Sequence, residues 1–187
     1  PSRPYLKTSW RIDSTRLSDY EKIPIAFEVR SIFDVTDDQQ LIERPLSTPY
    51  VKDYDRIEGG GVGWSTMNLT NWGIFLLLDQ TNDDEPIGGA MVAMPECALW
   101  DFRVAPEHRR LGVGRALIEH ILHWLRTEHS DQRRLTIETQ NTNVAACRFY
   151  ASIGARLIDV DREAYVDVES VKDEIRLNWA VALGAIE

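Results

Sequence analysis

The 187-residue chain predicts one mixed α/β domain, and three observations lead to that expectation. Three strand-like segments follow one another between residues 72 and 104 with turn-rich joints; an apolar face of helical period then covers about 112–128; strand and helix patterns alternate from there onward. The order of strands, a helix, a strand, a helix and two strands fits a single layered α/β unit, and the length favours one core over two. Residues 1–187 are expected to form that unit, with 1–20, polar and weakly patterned, as a loosely packed N-terminal extension.

Taken in order, Ile23 to Val29 (IPIAFEV) reads as a strand opened by a proline. The following "TDDQQLIERPLSTPYVKDYD" begins like a short capped helix ended by Pro45 and Pro49, and Glu58 to Gly63 (EGGGVG) reads as a loose connection. Trp72 to Asp79, Ile87 to Met94 and Ala98 to Val104 then form an expected antiparallel meander. Leu117, Ile118, Ile121, Leu122 and Leu125 fall on one helical face, giving a helix from about Gly112 to Glu128. Arg134 to Thr139 is a short strand; Asn141 to Asn143 are cap candidates for a helix running to Ser152 and stopped at Gly154. Ala155 to Val160 resumes strand character, and Ile175, Leu177, Trp179 and Val181 alternate along a last strand.

Charge narrows the function. There are 21 basic residues against 30 acidic ones, a formal net charge of -9, which argues against a sequence-independent grip on nucleic acid or an anionic membrane and suits a cationic small molecule. No apolar run approaches the roughly 20 residues that span a bilayer. Cys97 and Cys147 form neither a metal pair nor a disulfide framework, and no charged-then-apolar leader precedes the first strand-like segment, so a soluble cytoplasmic protein is expected.

The most informative stretch is "RRLGVGRALIEHILHW", Arg109 to Trp124. A helix start carries four backbone N–H groups without intrahelical partners and about half a positive charge, so it attracts phosphate. Gly112 and Gly114 remove the Cβ atoms that would hold a phosphate off that backbone, while Arg109, Arg110 and Arg115 add full charge. A dinucleotide fingerprint is excluded because Leu117 stands where its third glycine belongs, a Walker loop because Gly-Lys-Ser/Thr is absent, and a kinase because its partner motifs are missing.

Val104-Ala105-Pro106-Glu107-His108-Arg109-Arg110-Leu111-Gly112-Val113-Gly114 resembles the strand end and Arg/Gln-x-x-Gly-x-Gly loop of the GNAT acyltransferase superfamily. Asn143-x-x-Ala146-x-x-Phe149-Tyr150-x-x-x-Gly154 is similar to the next helix of that superfamily. The resemblance implies a GNAT fold, a mixed and mostly antiparallel sheet with helices on both faces, and acetyl-CoA as acetyl donor with no metal. It implies that Arg109 to Arg115, including Leu111 and Val113, hold the pyrophosphate. Asn143 would contact the pantetheine arm, with Ala146 and Phe149 on the same helix, and Tyr150 would lie near the thioester sulfur. "LTIETQNTNVAACRFYASIGA", "STPYVKDYD" and "DEIRLNW" further resemble the streptothricin acetyltransferases, antibiotic-resistance enzymes that acetylate the β-lysine amine of a cationic drug.

Acetyl transfer to an amine sets three requirements. A lysine-type amine of pKa near 10.4 is neutral about once in 2,500 molecules at pH 7, so deprotonating it costs roughly 4.6 kcal/mol and a nearby carboxylate is needed. Asp101, which interrupts an apolar strand, ranks first as that base, and Glu138, at the end of the neighbouring strand, ranks second; either could instead bind the amine electrostatically. The developing oxyanion needs a backbone N–H, which a kinked strand supplies in the family; Phe102, Arg103 and Val104 are the corresponding stretch. The departing thiolate needs a proton, and Tyr150 is the matching donor.

Weaker candidates read as structural. His120 and His123 lie a turn apart without a third metal ligand, Asp53, Asp55 and Glu58 make a charged loop, and Cys147 lacks an evident base. The expected activity is N-acetylation of a small cationic amine in a ternary complex. The alternatives are another amine acceptor (aminoglycoside, polyamine or protein amine) and a non-catalytic acyl-CoA binder. An edge strand near the C-terminus would be compatible with a homodimer.

Overall fold

The structure is a computed structural model that describes residues 6–9, 12, 14–57 and 64–184. In chain order its elements are β1 (Leu6–Ser9), α1 (Leu17–Tyr20), β2 (Phe27–Val35), β3 (Leu41–Lys52), β4 (Gly73–Asp79), β5 (Glu85–Ala93), β6 (Ala98–Val104), α2 (Val113–Glu128), β7 (Arg134–Gln140), α3 (Val144–Ser152), β8 (Arg156–Asp161) and β9 (Arg176–Ala182). Short 3-10 turns at Ser14–Arg16, Tyr54–Arg56, Trp64–Thr66 and Pro106–His108 lie between them. The chain packs as two compact units, one of Pro1–Ile25, Val62–Leu135 and Leu183–Glu187, the other of Ala26–Gly61 and Thr136–Ala182. Among the described residues no helix is long and apolar enough to cross a membrane.

In the first unit, β1, β4, β5 and β6 pair antiparallel in that order, so the expected meander is present, with β1 added along its outer edge. Every β4 residue from Gly73 to Leu78 is buried and so is β5 from Ile87 to Ala93, because helices cover both sides. Two adjacent glycines show this directly. A Cβ on Gly89 would lie 2.5 Å from the Tyr20 ring of α1, and a Cβ on Gly88 would lie 2.7 Å from Val113 of α2. Successive strand residues point to opposite faces, so α1 and α2 press on β5 from opposite sides. The expected helix holds from Val113 to Glu128, with Leu117, Ile118, Ile121 and Leu125 at most 2% exposed; Leu122 is half-buried, and Val113 and Trp124 complete the buried face.

The N-terminal reading needs correction. Stretches within residues 1–20 form β1 and α1, and Leu17 and Tyr20 enter the core, Tyr20 with no exposure at all. A four-residue helix is too short to display a helical period, so its apolar positions left no pattern. Ile23 is buried in the same core and does not open a strand; β2 begins at Phe27.

The second unit contains the larger correction. The segment expected as a short helix is β3, paired antiparallel with β2 as a hairpin. The cap-like residues serve its turn instead: Thr36 Oγ1 donates to Asp38 at 2.5 Å and accepts from the Gln40 amide at 2.9 Å, while Gln39 takes φ 61. Ser, Thr and Asp side chains bond the backbone equally well in turns and at helix starts, so the same residues signal both. Pro45 faces Ser31, on the far side of the register shift that follows Val29. Asn141 brackets the hairpin to the rest of the unit: its Nδ2 donates to Phe33 O at 2.9 Å and its Oδ1 accepts from the Ile175 amide at 2.9 Å.

The remaining order is β7–β9–β8, with β8 and β9 antiparallel. Leu177, Trp179 and Val181 are buried at alternate positions along β9, as their spacing predicts. Asn143 is the residue that caps α3, its Oδ1 accepting from the Ala146 amide at 3.1 Å, and Gly154 ends the turn after it at φ +86.

Candidate active site

In the first unit, β6 runs through a 3-10 turn and a four-residue loop into α2. The Arg109 Nε donates to Val104 O at 2.9 Å, so this arginine closes the base of the loop onto the strand end. Arg110 adopts φ 62, a left-handed conformation that costs a non-glycine residue of order 1 kcal/mol, and Gly112 follows at φ 91. Gly112 is the N-cap of α2 and makes no side-chain cap bond, so the cap itself contributes no acceptor to the first-turn amides. Leu111, Gly112, Arg110 and Arg115 are exposed, while Val113 is buried against Gly88. The loop is thus anchored at both ends, with its glycine cap and Arg110 exposed and Arg115 exposed on the first turn of α2.

On β6 the register with β5 shifts between Leu99 and Asp101, which places the bulge at Trp100. Phe102, Arg103 and Val104 pair regularly with Ala90, Gly89 and Gly88, so the irregularity lies just upstream of the stretch expected to be kinked. The Arg103 side chain is turned into the protein, 4% exposed, and pairs with Asp101 through Nε–Oδ1 at 2.8 Å and Nη2–Oδ2 at 3.0 Å. Tyr20 donates its hydroxyl to Asp101 Oδ1 at 2.5 Å, and Arg103 Nη1 reaches Ile23 O at 3.3 Å. Burial, together with the Asp101 carboxylate, pushes the Tyr20 hydroxyl pKa well above its ordinary value. Both oxygens of Asp101 therefore hold fixed donors. Clamped by a guanidinium and a phenol, this carboxylate ties β6 to α1.

The second unit holds the other predicted residues. Tyr150 on α3 is 6% exposed, more deeply buried than its half-buried neighbour Phe149, and the two rings lie 5.6 Å apart. Cys147 on the same helix is buried, and burial pushes its thiol up to about 12. Glu138 on β7 is exposed; its Oε1 accepts from the Tyr165 hydroxyl at 2.8 Å and its Oε2 lies 3.8 Å from Arg176 Nη1.

From Glu138 a continuous hydrogen-bonded chain leads back to the cap of α3. Gln140 Nε2 donates to the Tyr165 hydroxyl oxygen at 2.9 Å, the Tyr54 hydroxyl donates to Gln140 Oε1, and Asn143 Nδ2 donates to the Tyr54 oxygen at 3.3 Å. Tyr54 is held by the ring of Phe27 at 5.7 Å and by the Lys52 ammonium 4.8 Å from its centroid. Lys52 in turn pairs with Glu174 and donates to Thr142 at 3.2 Å; burial draws its pKa down against the pull of Glu174. Tyr54, Gln140 and Tyr165 were not candidates on sequence grounds, although Tyr54 lies inside "STPYVKDYD", a stretch already singled out.

The weaker candidates fall into structural roles. Asp53 caps the turn at Tyr54–Arg56 by accepting from the Asp55 amide at 3.1 Å; Glu58 and the glycine run to Gly63 lie outside the described residues. His120 sets its Nδ1 2.7 Å from Ala116 O, while His123 is exposed. Among the described residues no cluster of three metal-ligating side chains occurs.

The acetyltransferase (GNAT) family model matches residues 34–155, more than half of the chain. The chain belongs to the GNAT acetyltransferase family. Within it, the chain is 32% identical over 165 residues to a streptothricin acetyltransferase of Escherichia coli, covering 85% of this chain and 87% of that one. It is also 32% identical over 92 residues to the ribosomal protein bS18-alanine N-acetyltransferase of Escherichia coli K12, a match that takes in 49% of this chain and spans 61% of the length of that relative. A crystal structure of a Bacillus anthracis protein assigned as a streptothricin acetyltransferase, in complex with acetyl coenzyme A, superposes with a TM-score of 0.77 at 24% identity, over 95% of this chain and 98% of that one. The expected GNAT fold, a mixed and mostly antiparallel sheet with helices, is therefore the fold of this chain.

Proposed function

We propose that this GNAT protein is an N-acetyltransferase that moves the acetyl group of acetyl-CoA to a primary amine of a small cationic acceptor of the streptothricin type. One observation carries the reading: α2 starts at a glycine cap of φ 91, with Arg110 and Arg115 exposed around it. A helix start built this way suits a pyrophosphate. The acceptor class draws support from similarity along most of the chain to a streptothricin acetyltransferase and from the net charge of -9. The whole chain, 1–187, acts as one acetyltransferase domain in the cytoplasm.

In this reading Gly112 to Gly114 hold the pyrophosphate with Arg109, Arg110 and Arg115 around it, and Asn143 contacts the pantetheine arm beside Ala146 and Phe149. Glu138 takes the proton of the acceptor ammonium, directly or through water, and the freed amine attacks the thioester carbonyl. A backbone N–H of Phe102 to Val104 stabilises the oxyanion, and Tyr150 returns a proton to the departing thiolate. A protein amine is the second acceptor class, favoured by the similarity to the ribosomal alanine N-acetyltransferase.

The test is release of free thiol from acetyl-CoA across a panel of amines that includes streptothricin and an alanine-terminated peptide. Streptothricin is expected to give the highest kcat/KM, with Glu138→Gln and Tyr150→Phe each lowering kcat by about 100-fold. Tight acetyl-CoA binding without release by any amine would instead mark a non-catalytic binder.

A further inference from the structure

The chain of bonds from α3 to Glu138 has only one possible direction. Ionised Glu138 can only accept, so Tyr165 must donate to it and must itself accept from Gln140. That turns the Gln140 carbonyl toward Tyr54, which donates to it and accepts from Asn143 Nδ2. The opposite end imposes the same order independently, because the Ala146 amide at the start of α3 needs the Asn143 oxygen and so leaves Asn143 Nδ2 for Tyr54. Two fixed ends agree on the orientation of every amide and hydroxyl between them, and aligned bonds of this kind reinforce one another.

We propose that Tyr54 is a positioning residue: its hydroxyl fixes the Asn143 carboxamide and, through Gln140 and Tyr165, the Glu138 carboxylate, so one polar chain aligns the donor side and the acceptor side of the transfer. Tyr54 is suited to this by its setting. Phe27 and Lys52 hold its ring, and burial keeps its hydroxyl protonated far beyond neutral pH, so it remains both donor and acceptor. The inference rests on the roles proposed above for Asn143 and Glu138.

Tyr54→Phe keeps the ring and removes only the hydroxyl. It should raise the Kd of acetyl-CoA about fivefold, because Asn143 loses its fixed partner, and lower kcat about tenfold, because Gln140 is released and with it Tyr165. Tyr165→Phe, which cuts the chain next to Glu138, should lower kcat by a similar factor and leave the acetyl-CoA Kd unchanged. The double variant should have the kcat of Tyr54→Phe alone, since one chain can be broken only once. Loosened packing would move both parameters in both variants, so equal weakening of acetyl-CoA binding by Tyr165→Phe and Tyr54→Phe overturns the inference, as does a Tyr54→Phe enzyme within twofold of wild type in Kd and kcat. Calorimetric Kd values need no amine and no base. A wild-type Kd in Tyr54→Phe therefore overturns the positioning role while the proposed reaction stands, whereas wild-type protein that binds no acetyl-CoA removes the reaction itself.

Discussion

Replacing Asp101 by asparagine separates a structural carboxylate from a catalytic one. Asp101 is 8% exposed at its side chain and carries three donors, two from Arg103 and one from Tyr20. Asparagine offers one acceptor oxygen in place of two and no charge, so the Arg103 guanidinium, 4% exposed, loses its two-point ion pair with Asp101. Removing one partner of a buried ion pair typically costs 3–5 kcal/mol; Arg103 would keep Ile23 O and the rings of Tyr20 and Trp64, 5.5 and 6.0 Å away, so a loss of about 3 kcal/mol is expected. For a chain of this size that corresponds to a Tm lower by about 6 to 12 °C. Thermal unfolding followed by circular dichroism gives the Tm, and thiol release at 15 °C gives kcat for the protein that is still folded. Asp101→Asn should show the depressed Tm with kcat per folded molecule within a fewfold of wild type, whereas Glu138→Gln, at a side chain 48% exposed, should leave Tm in place and lose activity. An Asp101→Asn protein of wild-type Tm with activity reduced 100-fold would show that the ion-pair argument is wrong and that Asp101 is the base.

Gly112→Val forces a branched residue into φ 91, the left-handed region that only glycine adopts without penalty, and places a side chain where the pyrophosphate is proposed to lie. Acetyl-CoA affinity by calorimetry should fall at least tenfold, and an unchanged Kd would remove the phosphate-loop reading. The two thiols give a pH test. Burial pushes Cys97 up to about 11 and Cys147 up to about 12 from an ordinary value of 9, so the native state favours their protonated forms. Their contribution to stability is complete below pH 9 and is lost as pH rises toward 11–12, so urea midpoints should hold to pH 9 and decline above it. At pH 8, iodoacetamide should label neither thiol faster than the protein unfolds, and rapid labelling of Cys147 in folded protein would contradict its burial.

Periodicity decided what could be read in advance. α2 and β9 bury regular stripes, so their faces followed from spacing alone, and the β4–β5–β6 meander followed from short apolar runs joined by turn residues. β3 gave no such signal because only Lys52 of its twelve residues is buried, and a strand exposed on both faces does not alternate. The helix start at Gly112 was legible because its signals are local: the glycines, the arginines and the apolar face that follows are adjacent in sequence. Asp101 and Glu138 were not separable for the opposite reason. The Tyr20 that clamps Asp101 lies 81 residues away, and Tyr54 and Gln140, which link Glu138 to Asn143, are 86 residues apart. A carboxylate on a strand looks the same in sequence whether it meets a buried guanidinium or solvent.

The glycine pair on β5 has a consequence for how this protein can change over time. With Tyr20 against Gly89 on one side and Val113 against Gly88 on the other, side chains of α1 and α2 reach the backbone of neighbouring β5 residues from opposite faces. A larger residue at Gly88 requires a smaller one at Val113, next to Gly112, and a larger residue at Gly89 requires retreat of Tyr20, which holds Asp101. Drift at these two positions is therefore tied to residues on separate helices, and each β5 glycine is expected to be exchanged only together with its helix partner.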